Sequence, residues 1–117
     1  MGDKVCHIEF VAGNLAAAGE FYSNVFGWVI TPMGDNYAVW DAGDDDVGGG
    51  FTLEDESSGG QRTVAYIKVE DIEAKLAQIT SAGGETVVPK TKISDEHGFF
   101  ALFKDPGGTI VGLWGKG

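Results

Sequence analysis

The chain says nearly the same thing twice. When residues 1 to 56 are shifted forward by 57 positions, the strand-like run His7-Ile8-Glu9-Phe10-Val11 falls on Val64-Ala65-Tyr66-Ile67-Lys68, Leu15 on Ile72, Gly27 on Gly84 and Pro32 on Pro89. Strand, helix, glycine stop and second strand recur in one register. A repeat this long exceeds a solenoid unit and suits a βαβ-containing module, so it predicts two similar modules packed as one domain. Module one is expected over 1–56, module two over 61–117, with a linker of serines, glycines and charges at about 54–61. Two half-open sheets facing each other would leave a cavity for a ligand.

Composition narrows the partners. With 117 residues the chain can bury a core without disulfides or metal staples. A formal charge of −10 repels phosphate backbones and anionic lipid, which argues against nucleic acid and membrane surfaces as partners. The single Cys6 cannot form an internal disulfide, no basic leader precedes an apolar stretch, and no apolar run approaches the ~20 residues of a membrane span. A reducing, cytoplasmic setting is the expectation.

Alternation over Val5 to Ala12 puts Cys6, Ile8, Phe10 and Ala12 on one face and Val5, His7, Glu9 and Val11 on the other. The first set is apolar, and the second carries an imidazole and a carboxylate two residues apart. Asn14 caps a helix in which Leu15, Ala18, Tyr22, Val25 and Phe26 recur until Gly27 stops it. Strands are predicted at 28–31, 37–41 and, opening with Gly48 to Gly50, at 48–53, while Asp44 to Asp46 reads as solvated loop. In the second half a strand at 63–69 leads to a helix capped by Asp71, with Ile72, Leu76 and Ile79 as its buried stripe, ending at Ala82-Gly83-Gly84. The remaining strands are 86–88, 99–104 and 109–114, the last two joined by the turn Asp105-Pro106-Gly107-Gly108.

His7-Ile8-Glu9, Glu20-Phe21-Tyr22 through Val25-Phe26-Gly27-Trp28, Ala82-Gly83-Gly84, and Asp105-Pro106-Gly107-Gly108 through Gly112-Leu113-Trp114 together resemble the vicinal oxygen chelate superfamily of glyoxalases, bleomycin-resistance proteins and extradiol dioxygenases. The resemblance covers essentially the whole chain. It implies an α+β fold of two βαβββ modules in tandem forming an open, cup-shaped mixed sheet, commonly assembled as a homodimer. It further implies a divalent metal held by a His or Gln on the first strand, a Glu on the fourth, a His opening the second module and a Glu on the final strand. Residue by residue those positions are His7, about Gly50, Val64 and Gly112. Glycine and valine offer no electron pair, and a catalytic metal needs about three protein ligands, so no cofactor is expected and His7 is the one matching ligand for a divalent metal. Glu9, Gly48 to Gly50 and Gly112 to Trp114 are similar to a glyoxalase-related subgroup of unassigned activity.

The expected lining of the cavity follows from strand parity. Glu9 and His7 are the candidate catalytic pair, with acid and base capacity. Gly50, Tyr66, Lys68, Gly112 and Trp114, with Trp40 or Tyr37 from the third strand, are candidate ligand contacts, and His97 stands at the rim. Each has a plainer account: His7 bonding a neighbour within a half-buried sheet, Glu9 in an ion pair with Lys68, Trp28 and Trp40 as core or dimer interface, His97 as solvated loop. Gly48 to Gly50 lacks the Lys and Ser/Thr of a phosphate loop and reads as a bulge or a place of close packing.

Three functions stay open at this point. The chain binds a small molecule at an incomplete metal site and runs a lyase- or isomerase-like proton transfer through Glu9 and His7. Alternatively it sequesters a cationic aromatic compound, as bleomycin-resistance proteins do, or it is a metal-dependent glyoxalase-like lyase with rearranged ligands such as His7, Glu9 and a third carboxylate.

Overall fold

The computed structural model describes residues 2–43, 47–55 and 59–117, so the Asp44 to Asp46 run and part of the expected linker lie outside the described residues. Its elements run β1 (Val5–Ala12), α1 (Leu15–Phe26), β2 (Val29–Pro32), β3 (Tyr37–Asp41), β4 (Gly48–Leu53), β5 (Thr63–Lys68), α2 (Ile72–Ser81), β6 (Glu85–Ser94), β7 (Gly98–Lys104) and β8 (Ile110–Gly115). The α+β order is βαβββ followed by βαβββ, as the repeat predicts. Contacts divide the chain into two compact units, one of residues 6–64 and one of residues 65–117 together with 2–5.

In the N-terminal unit the strand order is β2-β3-β4-β1, with β1 and β4 parallel and the other neighbours antiparallel. Helix α1 starts where the Asn14 side chain accepts from the Ala17 N–H and stops at Gly27, whose φ of 75° is cheap only without a Cβ. It covers the apolar face of the sheet, where Ala12, Ala38, Trp40 and Phe51 are buried and Ile8, Phe10, Tyr22, Trp28 and Ile30 pack around them. Phe51 is fully buried, which contributes about 2–3 kcal/mol on its own. The centre is aromatic: Phe10 stacks on Tyr22 at 5.7 Å, and Trp28 on Trp40 at 4.1 Å and 14°. Trp28 therefore precedes β2, held by ring contacts, where a strand from residue 28 was expected.

The C-terminal unit has the order β5-β8-β7-β6, with β5 and β8 parallel. Asp71 caps α2 by accepting from the Ala74 N–H. Ile72, Leu76, Val69, Ala101 and Leu113 form its core. Strand β6 is much longer than the predicted 86–88. It is the edge of its unit, and breaks in register between Val88 and Thr91 absorb Pro89, which a central strand would not tolerate. In the 105–108 turn Asp105 Oδ1 accepts from the N–H groups of Gly107 and Thr109. The positive φ in this turn falls on Gly108, at 98°. Gly108 N–H bonds the Asp105 carbonyl and Asp105 N–H the Thr109 carbonyl, which closes a three-residue hairpin loop.

Candidate functional site

Because side chains alternate along a strand, the face of the N-terminal sheet turned away from α1 is set by the same residues that build its core. Cys6, Ile8 and Phe10 fall on one parity of β1, His7 and Glu9 on the other. Register extends the second set across the sheet: His7 pairs with Gly48, Glu9 with Gly50, Gly50 with Val39, and Tyr37 with Thr52. His7, Glu9, Tyr37, Gly48 and Gly50 therefore share one face.

On that face the side chains meet. His7 Nε2 lies 2.7 Å from the Tyr37 hydroxyl and 3.8 Å from Glu9 Oε2. The imidazole and phenol planes are within 17° of parallel, with centroids 6.5 Å apart. The Glu9 side chain is 14% exposed and that of His7 29%. With the ring proton on Nδ1 the imidazole accepts a hydrogen bond from the Tyr37 O–H at Nε2, and with a proton on Nε2 it donates toward Tyr37 or Glu9, so the trio can hold a proton at more than one position. That is the minimum equipment of a general acid–base site.

Tyr37 reaches His7 only because residue 50 has no side chain. A Cβ on Gly50 would stand 2.0 Å from the Tyr37 hydroxyl oxygen and 2.3 Å from its Cζ. Gly49 performs the same service on the other face, where a Cβ would meet the Trp40 indole at 2.1 Å and the Ile8 carbonyl at 2.2 Å. The glycine run is thus a place of close packing. A Cβ on Gly48 would meet nothing within 4 Å among the described residues.

Trp40 was expected among the ligand contacts, and the structure corrects this. It shares a face with Ala38, lies 5% exposed in the core and donates its Nε1–H to the Gly50 carbonyl at 3.2 Å. Of the two third-strand aromatics, Tyr37 is the one beside His7 and Glu9. Sequence reasoning kept the pair open because parity within one strand does not say which parity faces the helix. The buried neighbour Ala38 is the residue that decides it.

In the C-terminal unit, Tyr66, Lys68, Gly112 and Trp114 lie on the face away from α2, paired as Tyr66 with Gly112 and Lys68 with Trp114. A Cβ on Gly112 would fall 2.2 Å from Cδ2 of Tyr66, so this ring also lies over a glycine of its neighbouring strand. The Lys68 ammonium sits 5.9 Å from the Trp114 ring centroid. The Trp114 indole donates to the His97 carbonyl at 2.7 Å, and the His97 imidazole Nδ1 is 3.0 Å from Ser94 Oγ. His97 thus fastens the turn before β7 through its backbone. A surface depression of about 270 Å³ is bordered by Gly2, Asp3, Lys4, Lys68, Val69 and Glu70, four of them charged.

The donor set does not fit the family's divalent metal. Among the described residues no three of His, Cys, Asp and Glu stand close enough to share an ion. Two of the implied positions, Gly50 and Gly112, are covered by tyrosine rings, and Val64 is a buried hydrocarbon. A metal-dependent lyase built on His7, Glu9 and a third carboxylate finds no such trio among those residues. Cys6, the chain's single cysteine, is half-buried. No helix among the described residues is long and apolar enough to cross a membrane.

Comparison with known proteins agrees with this architecture. The chain is 27% identical to the mycobacterial candidate glyoxylase CFP32 of Mycobacterium tuberculosis over 114 residues, covering 92% of this chain and 43% of that protein. It is 25% identical to the anthracycline biosynthesis protein DnrV of Streptomyces peucetius, covering 89% and 44%. The chain thus spans less than half the length of these relatives. Methylmalonyl-CoA epimerase from Mycobacterium tuberculosis superposes with a TM-score of 0.75 at 17% identity, over 97% of this chain and 87% of that one. The Mn(II)-bound glyoxalase of Novosphingobium aromaticivorans does so at 0.71 and 15%, over 97% of this chain and 39% of that one. At these identities the structures establish a shared fold alone. The profile of the Glyoxalase/Bleomycin resistance protein/Dioxygenase superfamily matches residues 4–113, and the chain belongs to that superfamily.

Proposed function

We propose that the protein binds a small organic molecule on the face that carries His7, Glu9 and Tyr37, and moves a proton on it in an isomerase- or lyase-like step. Glu9 is the base, and His7 is the group that shares or returns the proton. The observation that carries this is the convergence of a carboxylate, an imidazole and a phenol around one nitrogen, at 3.8 and 2.7 Å, on a sheet face whose other side is the hydrophobic core. Fold neighbours named as an epimerase and a glyoxalase support chemistry of that kind. Within the C-terminal unit, Tyr66, Lys68, Trp114 and His97 are read separately as a surface able to contact a ligand; Gly50 and Gly112, each covered by a tyrosine, and the core residue Trp40 are not. The protein is further read as a cytoplasmic homodimer, for which light scattering and fractionation are the checks.

The test is a thermal-shift screen of small organic acids, thioesters and amines, with and without divalent metals, followed by turnover assays on the hits. A ligand that binds only the folded state raises the melting temperature by mass action. Glu9→Gln keeps the shape and removes the base, so turnover should fall about 10²–10⁴-fold with folding intact. Unchanged turnover in that variant would sink the proposal.

A second reading has its own observation. Of the 8 basic residues only Arg62 lies within 6–64, the segment that holds Glu9 and nine more of the 18 acidic residues. Arg62 is itself paired with Glu54. Such a field attracts cations, which favours sequestration of a cationic compound without chemistry. Two of the chain's three tryptophans, Trp28 and Trp40, are packed in the core cluster and offer such a compound no aromatic surface. Binding of an organic cation with no turnover, and no loss on chelator treatment, would select this reading.

A further inference from the structure

The disagreement between the donor set and the family's metal has a structural cause within each unit. Glu9 pairs with Gly50 across β1 and β4, and Tyr66 pairs with Gly112 across β5 and β8, so the two glycines hold equivalent places in the duplicated modules. Each is overlain by a tyrosine, Tyr37 in one unit and Tyr66 in the other, with the nearest ring carbon 2.3 and 2.2 Å from where a Cβ would stand. A carboxylate side chain at either position and the tyrosine as it lies are mutually exclusive, because real Cβ atoms do not approach other atoms so closely.

We infer that tyrosine rings have taken the two places from which a metal-holding relative would project carboxylates, and that this site meets its ligand with the Tyr37–His7 phenol–imidazole pair instead of a metal ion. The 2.7 Å bond to His7 fixes where the phenol oxygen stands, and the His7 side chain is 29% exposed, so a ligand can reach it. The pair offers a hydrogen bond in either direction, suited to a carbonyl, hydroxyl or amine of the ligand. The inference rests on the reading of this face as the site, but it can fail separately from it.

Two measurements test it, and neither uses the organic ligand. The chelator-treated protein is titrated calorimetrically with Mn²⁺, Co²⁺, Ni²⁺ and Zn²⁺, beside His7→Ala. No uptake that depends on His7 is expected, and saturable one-to-one uptake that vanishes in His7→Ala would overturn the inference. Imidazole nitrogen shifts of His7 are then compared by NMR in wild type, Gly50→Ala and Tyr37→Phe. Both variants should move the Nε2 resonance, the first by pushing the ring aside and the second by removing the hydroxyl. If Gly50→Ala does not fold, Tyr37→Phe alone decides. An unmoved Nε2 resonance in a folded variant would refute the pairing. A ligand screen that found nothing would sink the proposed function and the ligand-meeting half of this inference, while the displacement of the metal positions by the two tyrosines would stand or fall on the titration and the NMR shifts alone.

Discussion

The Tyr37 hydroxyl lies 2.7 Å from His7 Nε2 although 30 residues separate them, and β4, which carries no side chain at Gly50, is the strand the phenol crosses. The bond is partly buried, so its net contribution should be about 1 kcal/mol. Tyr37→Phe and His7→Phe, measured singly and together by urea unfolding, should show a coupling of about 0.5–1.5 kcal/mol. Strict additivity of the two losses would mean that the contact does not hold in solution.

Adjacent glycines should respond very differently to the same methyl group. Gly49→Ala drives a Cβ into the Trp40 indole and the Ile8 carbonyl, the second of which is backbone and cannot swing away. A loss at or above about 3 kcal/mol is expected, the upper end for overpacking. Gly48→Ala meets nothing within 4 Å among the described residues and should be neutral or stabilise by about 0.5 kcal/mol, through the smaller chain entropy of the unfolded state. Chemical denaturation of the two variants checks this, and equal losses would contradict the packing described.

Module order, both helix caps and the parity of β1 are legible in the sequence because each rests on local chemistry: an Asn or Asp side chain bonding a nearby N–H, a glycine at positive φ, alternation within one strand. What could not be read depends on register between strands. Whether Tyr37 or Trp40 stands with His7 follows from Trp40 pairing with Gly49 and from the indole's place among Phe10, Trp28 and Phe51. The length of β6 was hidden for a similar reason, since Pro89 reads as a strand breaker until the strand is known to be an edge.

Trp40 should therefore matter to stability and not to ligand contact. Trp40→Ala removes a 5%-exposed indole stacked on Trp28, and a loss of about 3–5 kcal/mol is expected. Trp40→Phe is the milder probe: it should lower the melting temperature while leaving the affinity of any ligand found in the screen unchanged within twofold. A selective loss of affinity in a stable Trp40→Phe protein would return this residue to the site.

Trp114 joins two elements of the C-terminal unit by one hydrogen bond, from its indole Nε1–H to the His97 carbonyl at 2.7 Å. That carbonyl belongs to the turn before β7, which is also tied by Ser94 Oγ accepting from the His97 backbone N–H at 2.8 Å. Trp114→Phe keeps an aromatic face beneath Lys68 and deletes only the donor, so about 1 kcal/mol should go with the hydrogen bond. Lys68→Met, by contrast, removes an exposed cation–π contact worth about 0.5 kcal/mol. The two differ in where the loss appears. Amide hydrogen exchange should speed up at Gly98 and its neighbours in Trp114→Phe and stay at the wild-type rate in Lys68→Met. If both variants loosen the turn alike, the indole bond is not what holds it.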